Sequence, residues 1–440
     1  MRAVGRTDLW RRPDFLKLWA GQTVSLLESQ VSLLALPLTA ILTLKASATQ
    51  MGVLQAVEYL PWLLVTLFAG VWIDRVRRRP ILIGADLGRA LVLATIPVAG
   101  FLHVLRINDL YVVAFLVGLC TVFFSVAYNA FLPSLVPREQ LIEGNGKLST
   151  SQSLAAIAGP SLGGVLIQLV TAPLAITVDA ASFVVSVLSL ALIRTPETAP
   201  VPPIQRHSVW RDIGDGLRLV RDTPLQRAVV GSAATFNLCL SIANAVYLLY
   251  VTRTLHVAPG VLGVIYAAGG PGGLLGALAT ARLMRRCGVG ATILGAIILL
   301  SAAQLVAPLA GGSPVVVASL LIVAGFVGGG AGVAYDIGTV SVQQAITPEH
   351  LRGRMNASTR FILVGIVPVG FLVGGALGQA IGLRPTLLVG SVGTALAILW
   401  GFRWVLLMCL KYVRFGRCWI PVVAPFETSR GAERTRYCCR

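Results

Sequence analysis

Five ionisable side chains sit inside apolar stretches of this 440-residue chain: Glu28, Glu58, Asp86, Arg89 and Asp179. A charge at mid-bilayer costs about 2.5–3.5 kcal/mol on insertion scales, so each marks a candidate functional position. A carboxylate in a low-dielectric wall holds its proton more tightly than in water, which suits a group that loads and unloads a proton near neutral pH. The chemistry on offer is therefore reversible protonation. Asp86 and Arg89 lie three apart on one helical face and can neutralise each other, so a structural ion pair competes with a functional role. Asp179 is expected near the outer interface, within reach of water. Glu58, in Glu58-Tyr-Leu-Pro61, fits the wall of a cavity. Glu28 falls near the middle of the first apolar stretch.

Uncharged polar groups accompany them. Gln22, Gln55, Tyr59, Tyr128 and Asn129 occur in the first half of the chain, and Asn237, Asn244, Tyr247 and Tyr266 in the second. Facing inward as a set, they would line a large amphipathic pocket. Singly, each is equally a helix–helix hydrogen bond, worth about 0.6 kcal/mol on average.

The elements that must position these groups are membrane spans. The chain is 56% hydrophobic and 12% charged, where a soluble domain carries about 25% charged residues. Apolar runs near 18–44, 52–73, 81–104, 110–134, 149–170 and 173–194 have the length of a bilayer crossing. Six more follow near 228–252, 259–281, 291–309, 314–337, 356–380 and 385–407. The second set repeats the first at an offset of 211: Pro13 meets Pro224, Gly52 meets Gly263, Asn145 meets Asn356, and Gly163-Gly164 meets Gly374-Gly375. Parallel repeats about an axis along the membrane normal mark one class of secondary transporters. The expected fold is all-α and integral to the membrane, with twelve transmembrane helices in two parallel-repeat six-helix bundles. The expected divisions are a first bundle over 1–194, a linker over 195–225, a second bundle over 226–408 and a tail over 409–440. In the linker, Trp210, Ile213, Leu217 and Val220 recur at helical spacing, as in an amphipathic surface helix.

The formal net charge of +18 is not a nucleic-acid signature, because of where the charge falls. Arg2 to Lys17, Arg75 to Arg79, Arg194 to Arg227, Arg282 to Arg286 and Arg352 to Arg360 lie on one side of the expected topology. The opposite loops hold only Lys45, Arg106, Arg253 and Arg384. This asymmetry places both termini in the cytoplasm, with anionic lipid as neighbour. No cleaved signal peptide is expected. Cys120, Cys239 and Cys287 are isolated, and Cys409, Cys418, Cys438 and Cys439 crowd the tail without a zinc-site spacing. No phosphate loop, nucleophile constellation or metal site is apparent, so neither an enzyme nor an ATP-driven pump is expected, and no cofactor.

Glycine-rich runs at Gly269-Gly270-Pro271-Gly272-Gly273 and Gly325 to Gly332 read as close helix packing, ahead of an unwound cavity wall.

The loop after the second span, Gly70-Val-Trp-Ile-Asp74-Arg75-Val-Arg77-Arg78-Arg79, resembles the inner-loop motif of the major facilitator superfamily. Gly70, Asp74, Arg75, Arg78 and Arg79 match it position by position. Arg77 stands where many members have glycine, and the second-half equivalent has lost the aspartate. The resemblance implies that Asp74 docks at the start of the eleventh helix, near Asn356 to Arg360, as a cytoplasmic gate latch. In the fifth span, Gly159, Pro160, Gly163 and Gly164 resemble the antiporter motif of the same superfamily, with Ala155 in place of its first glycine. Asp86-Leu-Gly-Arg89, Leu132-Pro133, Asn145 and Val178-Asp179 resemble the branch of enterobactin and macrolide exporters and related drug:proton antiporters.

That resemblance implies a monomeric secondary transporter of a bacterial cell membrane that exports amphipathic small molecules against protons. One charge crossing 100 mV is worth about 2.3 kcal/mol, enough for roughly a fifty-fold gradient. A siderophore or metabolite exporter is the narrower alternative. A non-transporting sensor or scaffold is the alternative from another class.

Overall fold

Prolines open several of the apolar runs. Pro13, Pro224, Pro259 and Pro314 each occupy the first turn of a long helix, where a missing N–H costs no hydrogen bond. The computed structural model describes residues 9–73, 75–195, 197, 214, 218, 220–347, 352–415 and 418–421. Among them are twelve helices of 20 residues or more. The first six are α1 (Pro13–Leu38, continued by a π-turn over Thr39–Thr43), α2 (Ala48–Ile73), α3 (Arg78–Phe101), α4 (Ile107–Leu135), α5 (Leu141–Val170) and α6 (Ala172–Ala191). The second six are α7 (Pro224–Arg253), α8 (Pro259–Cys287), α9 (Val289–Leu309), α10 (Pro314–Ile346), α11 (Arg352–Ala380) and α12 (Leu383–Lys411).

Eleven of these are long and apolar enough to cross a membrane by length and composition. The twelfth, α2, has 26 residues and a single formal charge, Glu58. The last helix runs on past the expected end at 407. Beyond it Tyr412–Phe415 pairs antiparallel with Cys418–Pro421, so the first part of the expected tail holds a strand pair. Most of the linker, including Trp210, Ile213 and Leu217, lies outside the described residues. Val220 is described and is buried against Val230 and Met355.

The repeat seen in the sequence governs the packing. Helix starts at 13, 48, 78, 141 and 172 recur 211 residues later at 224, 259, 289, 352 and 383. In the first half α1 packs on α5 and α6, α4 packs on α2 and α3, and α3 packs on α6. The second half repeats every one of these pairings between α7 and α12. The halves meet chiefly where α2 packs on α11 and α5 on α8, two contacts exchanged by the same repeat.

The cores show how the halves lean on each other. One buried cluster spans both, joining Met51 and Leu54 of α2 to Val246 and Leu249 of α7 and Leu262 of α8. It lies toward the end of the bundle away from the termini. At the end that carries the termini, the cores are separate. One draws only on the first half, around Phe15, Leu82 and Phe131, and the other only on the second, around Phe236, Ile297 and Tyr335. The halves are thus closed at the far end and independent at the terminal end. Leucines and phenylalanines such as Leu91, Phe101 and Leu278 remain exposed on the outside, as a lipid-facing surface requires.

Candidate functional site

Four of the five intramembrane charges come together in the first half. Asp86 and Arg89 form an ion pair, and Ser186 of α6 donates to the other Asp86 oxygen at 2.6 Å. The Arg89 guanidinium is stacked between Phe124 at 4.4 Å and Phe183 at 4.3 Å. Such a sandwich lets a buried cation keep favourable contacts on both faces. Asp179, on α6, accepts a hydrogen bond from Ser32 of α1, while its Oδ1 has no hydrogen-bond partner. Arg89 also acts on Asp179 through its charge. Glu28, one turn before Ser32, feels the Asp179 carboxylate. Its Oε2 is buried and unpartnered, though the side chain as a whole is only half-buried.

The expectation of a water-accessible Asp179 is corrected here. It is 1% exposed, because the α1–α6 seam closes over it. The ion-pair reading of Asp86 and Arg89 agrees with the contact found. The network is nonetheless unbalanced: Asp86 and Asp179 face one guanidinium, and Glu28 adds a third carboxyl beside Asp179.

Glu58 stands apart. It borders a cavity of about 310 Å³ together with Tyr59, Trp62, Gly118, Thr121 and Val364. This cavity lies where α2 meets α4 and α11, on the seam between the halves. Tyr59 leans on Phe371 of α11, with ring centroids 5.5 Å apart.

The polar set is dispersed, not pooled. Asn244, Tyr247 and Tyr266 line a second cavity, of about 350 Å³, inside the second bundle. Gln55 instead donates to the Ala245 carbonyl at 3.2 Å, bridging the halves. Asn237 donates to Ala233 within its own helix. Tyr128 stacks on Phe124, Asn129 is exposed, and Gln22 is buried with its Nε2 unpartnered. Sequence reasoning overlooked Gln304 and Ser391 in the second cavity. It also overlooked Asp336, the one carboxylate within the helices of the second half. A count of acids per half would have found the last.

The two motifs have different surroundings. Asp74 lies outside the described residues. Arg79 donates to the Leu190 and Ala191 carbonyls at the end of α6, at 3.0 and 2.6 Å. The backbone N–H groups of Arg78 and Arg79 donate to the Glu197 carboxylate. A carboxylate at a helix start satisfies orphan donors and the helix dipole together. These two arginine positions therefore fasten α3 to α6 and the linker within the first half. Arg75 is exposed, and among the described residues nothing lies within 4 Å of where a Gly70 side chain would begin.

In α5 the glycines are contact points. A Cβ at Gly163 would lie 2.9 Å from the Val31 Cα of α1, and one at Gly164 would lie 2.8 Å from the Gly263 Cα of α8. The glycines of α8 and α10 likewise face each other, Gly276 against Gly330, along unbroken helices. The packing reading holds for both runs.

Two repeated six-helix bundles that share a core at one end and part at the other, around intramembrane charges, define a transporter of the major facilitator type. The family of transmembrane secretion effectors, within that superfamily, matches residues 9–414, and the chain belongs to it. Membership makes it a small-molecule transporter and a multi-span membrane protein, not an enzyme. The chain is 30% identical over 394 residues to multidrug efflux pump Tap of Mycolicibacterium fortuitum, spanning 88% of this chain and 94% of that one. It is 29% identical over 208 residues to macrolide efflux protein A of Streptococcus pyogenes, 47% of this chain and 51% of that one. Among solved structures, a bacterial homologue of the iron transporter ferroportin in its inward-facing state superposes with a TM-score of 0.72 at 17% identity, over 90% of this chain and 99% of that one. The outward-facing state of such a homologue gives 0.57 at 18% identity, over 89% and 99%.

Proposed function

We propose that the chain exports amphipathic small molecules in exchange for protons, by alternating access, as a monomer in a bacterial cell membrane with both termini cytoplasmic. The efflux pumps it is similar to support export, and the arginine-rich terminal end supports the orientation. With that orientation the far end is the outer face, so the state described is closed outside and open inside. The separate cores at the terminal end support that assignment. The latch at Asp74 then belongs to the opposite state, in which this end closes.

The observation that carries proton exchange is the excess of carboxylate inside the first half. Asp86 and Asp179 share Arg89, Glu28 adds a third carboxyl beside Asp179, and isolated charge in such a setting is strongly disfavoured. At least one carboxyl therefore favours holding a proton. Glu28, half-buried, is the entry, and Asp179, behind Ser32, is the inner acceptor. The repeat offers a control within the molecule. The mates of Glu28, Ser32 and Asp179 are Cys239, Ala243 and Gly390. There a Cβ at Gly390 would lie 2.7 Å from the Ala243 Cβ and 2.9 Å from the Cys239 carbonyl. The same seam closes with small groups in one half and carries acids in the other.

The seam reaches the gate through α5. Leu27, Gln30 and Val31 of α1 pack on Gly159 and Gly163, and the next residue, Gly164, touches α8. A proton-dependent adjustment of α1 thus shifts the contact that closes the outer face.

Proteoliposomes with an imposed pH gradient test this. Wild-type protein is expected to drive ethidium movement against its gradient and to dissipate the pH difference as it does so. Ethidium flux that ignores the pH gradient would refute proton exchange, and absence of flux for any amphipathic drug would refute export.

A further inference from the structure

The two halves set the same helices in the same places but fill them differently. In the first half, Leu36 of α1, Leu93 of α3 and Ala180 of α6 are buried in the packed core. Their mates 211 residues on are Tyr247, Gln304 and Ser391. There the packing opens into the cavity of about 350 Å³, with Asn244 and Tyr266 completing its polar wall. That volume is in the range of small-molecule sites.

The wall is unusual in two respects. Its buried polar groups lack partners among the described residues. The Gln304 Oε1 and Nε2 and the Ser391 Oγ are buried and make no hydrogen bond; Asn244, exposed, and Tyr247 and Tyr266, half-buried, add polar groups open to the same space. Buried polar atoms are nearly always satisfied, by protein, water or ligand, so a cluster of unpaired ones needs a partner from outside the chain. The wall is also free of formal charge: no acid and no base lines it. A cation entering it would lose its hydration without a counter-charge. Tyr247 and Tyr266 meet edge to face at 6.3 Å, which supplies aromatic surface beside the amides.

We propose that this cavity is a binding site for an uncharged, planar group carrying both a hydrogen-bond donor and an acceptor, such as an aromatic amide or lactam. Gln304, Asn244 and Ser391 each offer both functions, and the tyrosines cover its faces. The site thereby separates recognition, in the second half, from the acids of the first. Its physiological meaning rests on the export reading above, but binding to it needs no proton gradient.

The test is equilibrium binding to the purified full chain in lipid nanodiscs at fixed pH, with chloramphenicol as the neutral amide and tetraphenylphosphonium as the permanent cation. Wild-type protein is expected to bind chloramphenicol saturably. Gln304→Leu, which installs the side chain found at Leu93, should weaken that binding about tenfold and leave tetraphenylphosphonium unchanged. Gln304→Glu should weaken chloramphenicol and strengthen tetraphenylphosphonium about tenfold, because the wall gains a counter-charge. Absence of saturable chloramphenicol binding, or equal changes for the two probes, would overturn the proposal. If this pattern holds while gradient-driven flux fails, the export reading falls and the site stands. If flux is proton-driven while the pattern fails, the reverse is true.

Discussion

Gly164 of α5 and Gly263 of α8 meet backbone to backbone, and Gly375 of α11 and Gly52 of α2 repeat the contact 211 residues away. A Cβ at Gly164 would lie 2.8 Å from the Gly263 Cα and 2.5 Å from the Pro259 carbonyl; one at Gly375 would lie 2.9 Å from both the Gly52 Cα and the Ala48 carbonyl. Both crossings join the two halves at the end away from the termini. Two neighbouring hydrogen bonds belong to them: Gly260 donates to Gln168 at 3.0 Å, and Thr49 to the Gly375 carbonyl at 3.5 Å. The obstacles to a side chain here are backbone atoms, which cannot rotate away.

Gly164→Ala should therefore disfavour the closed far end and leave each bundle folded. Overpacking of this kind costs about 1–3 kcal/mol, which is roughly tenfold or more in the balance between states. A cysteine placed at Gln168, in a chain whose seven native cysteines are replaced, should react faster with a membrane-impermeant maleimide in the alanine variant. Helical content by circular dichroism should match wild type. Equal labelling would show that the crossing does not set the closed state.

Arg89 is expected to matter more for folding than its neighbours do. Arg89→Met strands Asp86 and Asp179, and breaking a buried pair by removing one partner costs about 3–5 kcal/mol. Asp86→Asn together with Arg89→Met removes the charges as a pair and should recover most of that loss. Thermal melting in detergent is the measurement. If the double variant melts as low as the single, the guanidinium is held for its contacts with Phe124 and Phe183, not for charge balance.

Much of this architecture was legible in the sequence, because bilayer length and the 211-residue repeat leave few alternatives. Gly52, Gly164, Gly263 and Gly375 were landmarks of the repeat, but that they pair the halves is seen only in the structure. The site was less legible. Asp86 and Arg89 share a helix, so their pairing follows from spacing. Asp179 and Glu28 lie 151 positions apart, and only the α1–α6 seam brings them together. The cavity in the second half was half visible: Asn244, Tyr247 and Tyr266 stood out as polar, whereas Gln304 and Ser391 became noticeable only against Leu93 and Ala180. Glycine identity told of close approach, but not that Gly163 faces α1 while Gly164 faces α8.

Glu197 should act as a clasp for the linker. Its side chain is 6% exposed and accepts the Arg78 N–H at 2.7 and 2.9 Å and the Arg79 N–H at 3.2 Å. Hydrogen bonds to a charged group contribute about 1.5–3 kcal/mol each when lost from a buried site. Glu197→Gln keeps the shape and removes the charge, so a loss near the lower end of that range is expected. Hydrogen exchange should quicken at the start of α3 and over 192–197, with little change in α4. Unchanged protection would mean that Arg79, through the Leu190 and Ala191 carbonyls, holds the junction alone.

Glu58 and Glu28, both candidates for proton coupling from the sequence, should behave differently. Glu28 belongs to the unbalanced network, and its neutralisation removes the carboxyl that faces Asp179. Glu58 stands apart from that network; it borders the cavity where α2, α4 and α11 meet, beside Trp62 and Tyr59. Glu28→Gln should thus abolish the dependence of flux on an imposed pH gradient, by a factor of about ten or more, while substrate still binds. Glu58→Gln should keep that dependence and change the substrate concentration for half-maximal flux, most for cationic substrates, because a carboxylate in a cavity wall attracts them. In a chain whose other seven tryptophans are replaced by phenylalanine, Trp62 fluorescence offers a readout, since a ligand entering beside Glu58 must approach that ring. Loss of pH dependence in Glu58→Gln with Glu28→Gln unaffected would move the coupling site from the α1–α6 seam to the boundary between the halves.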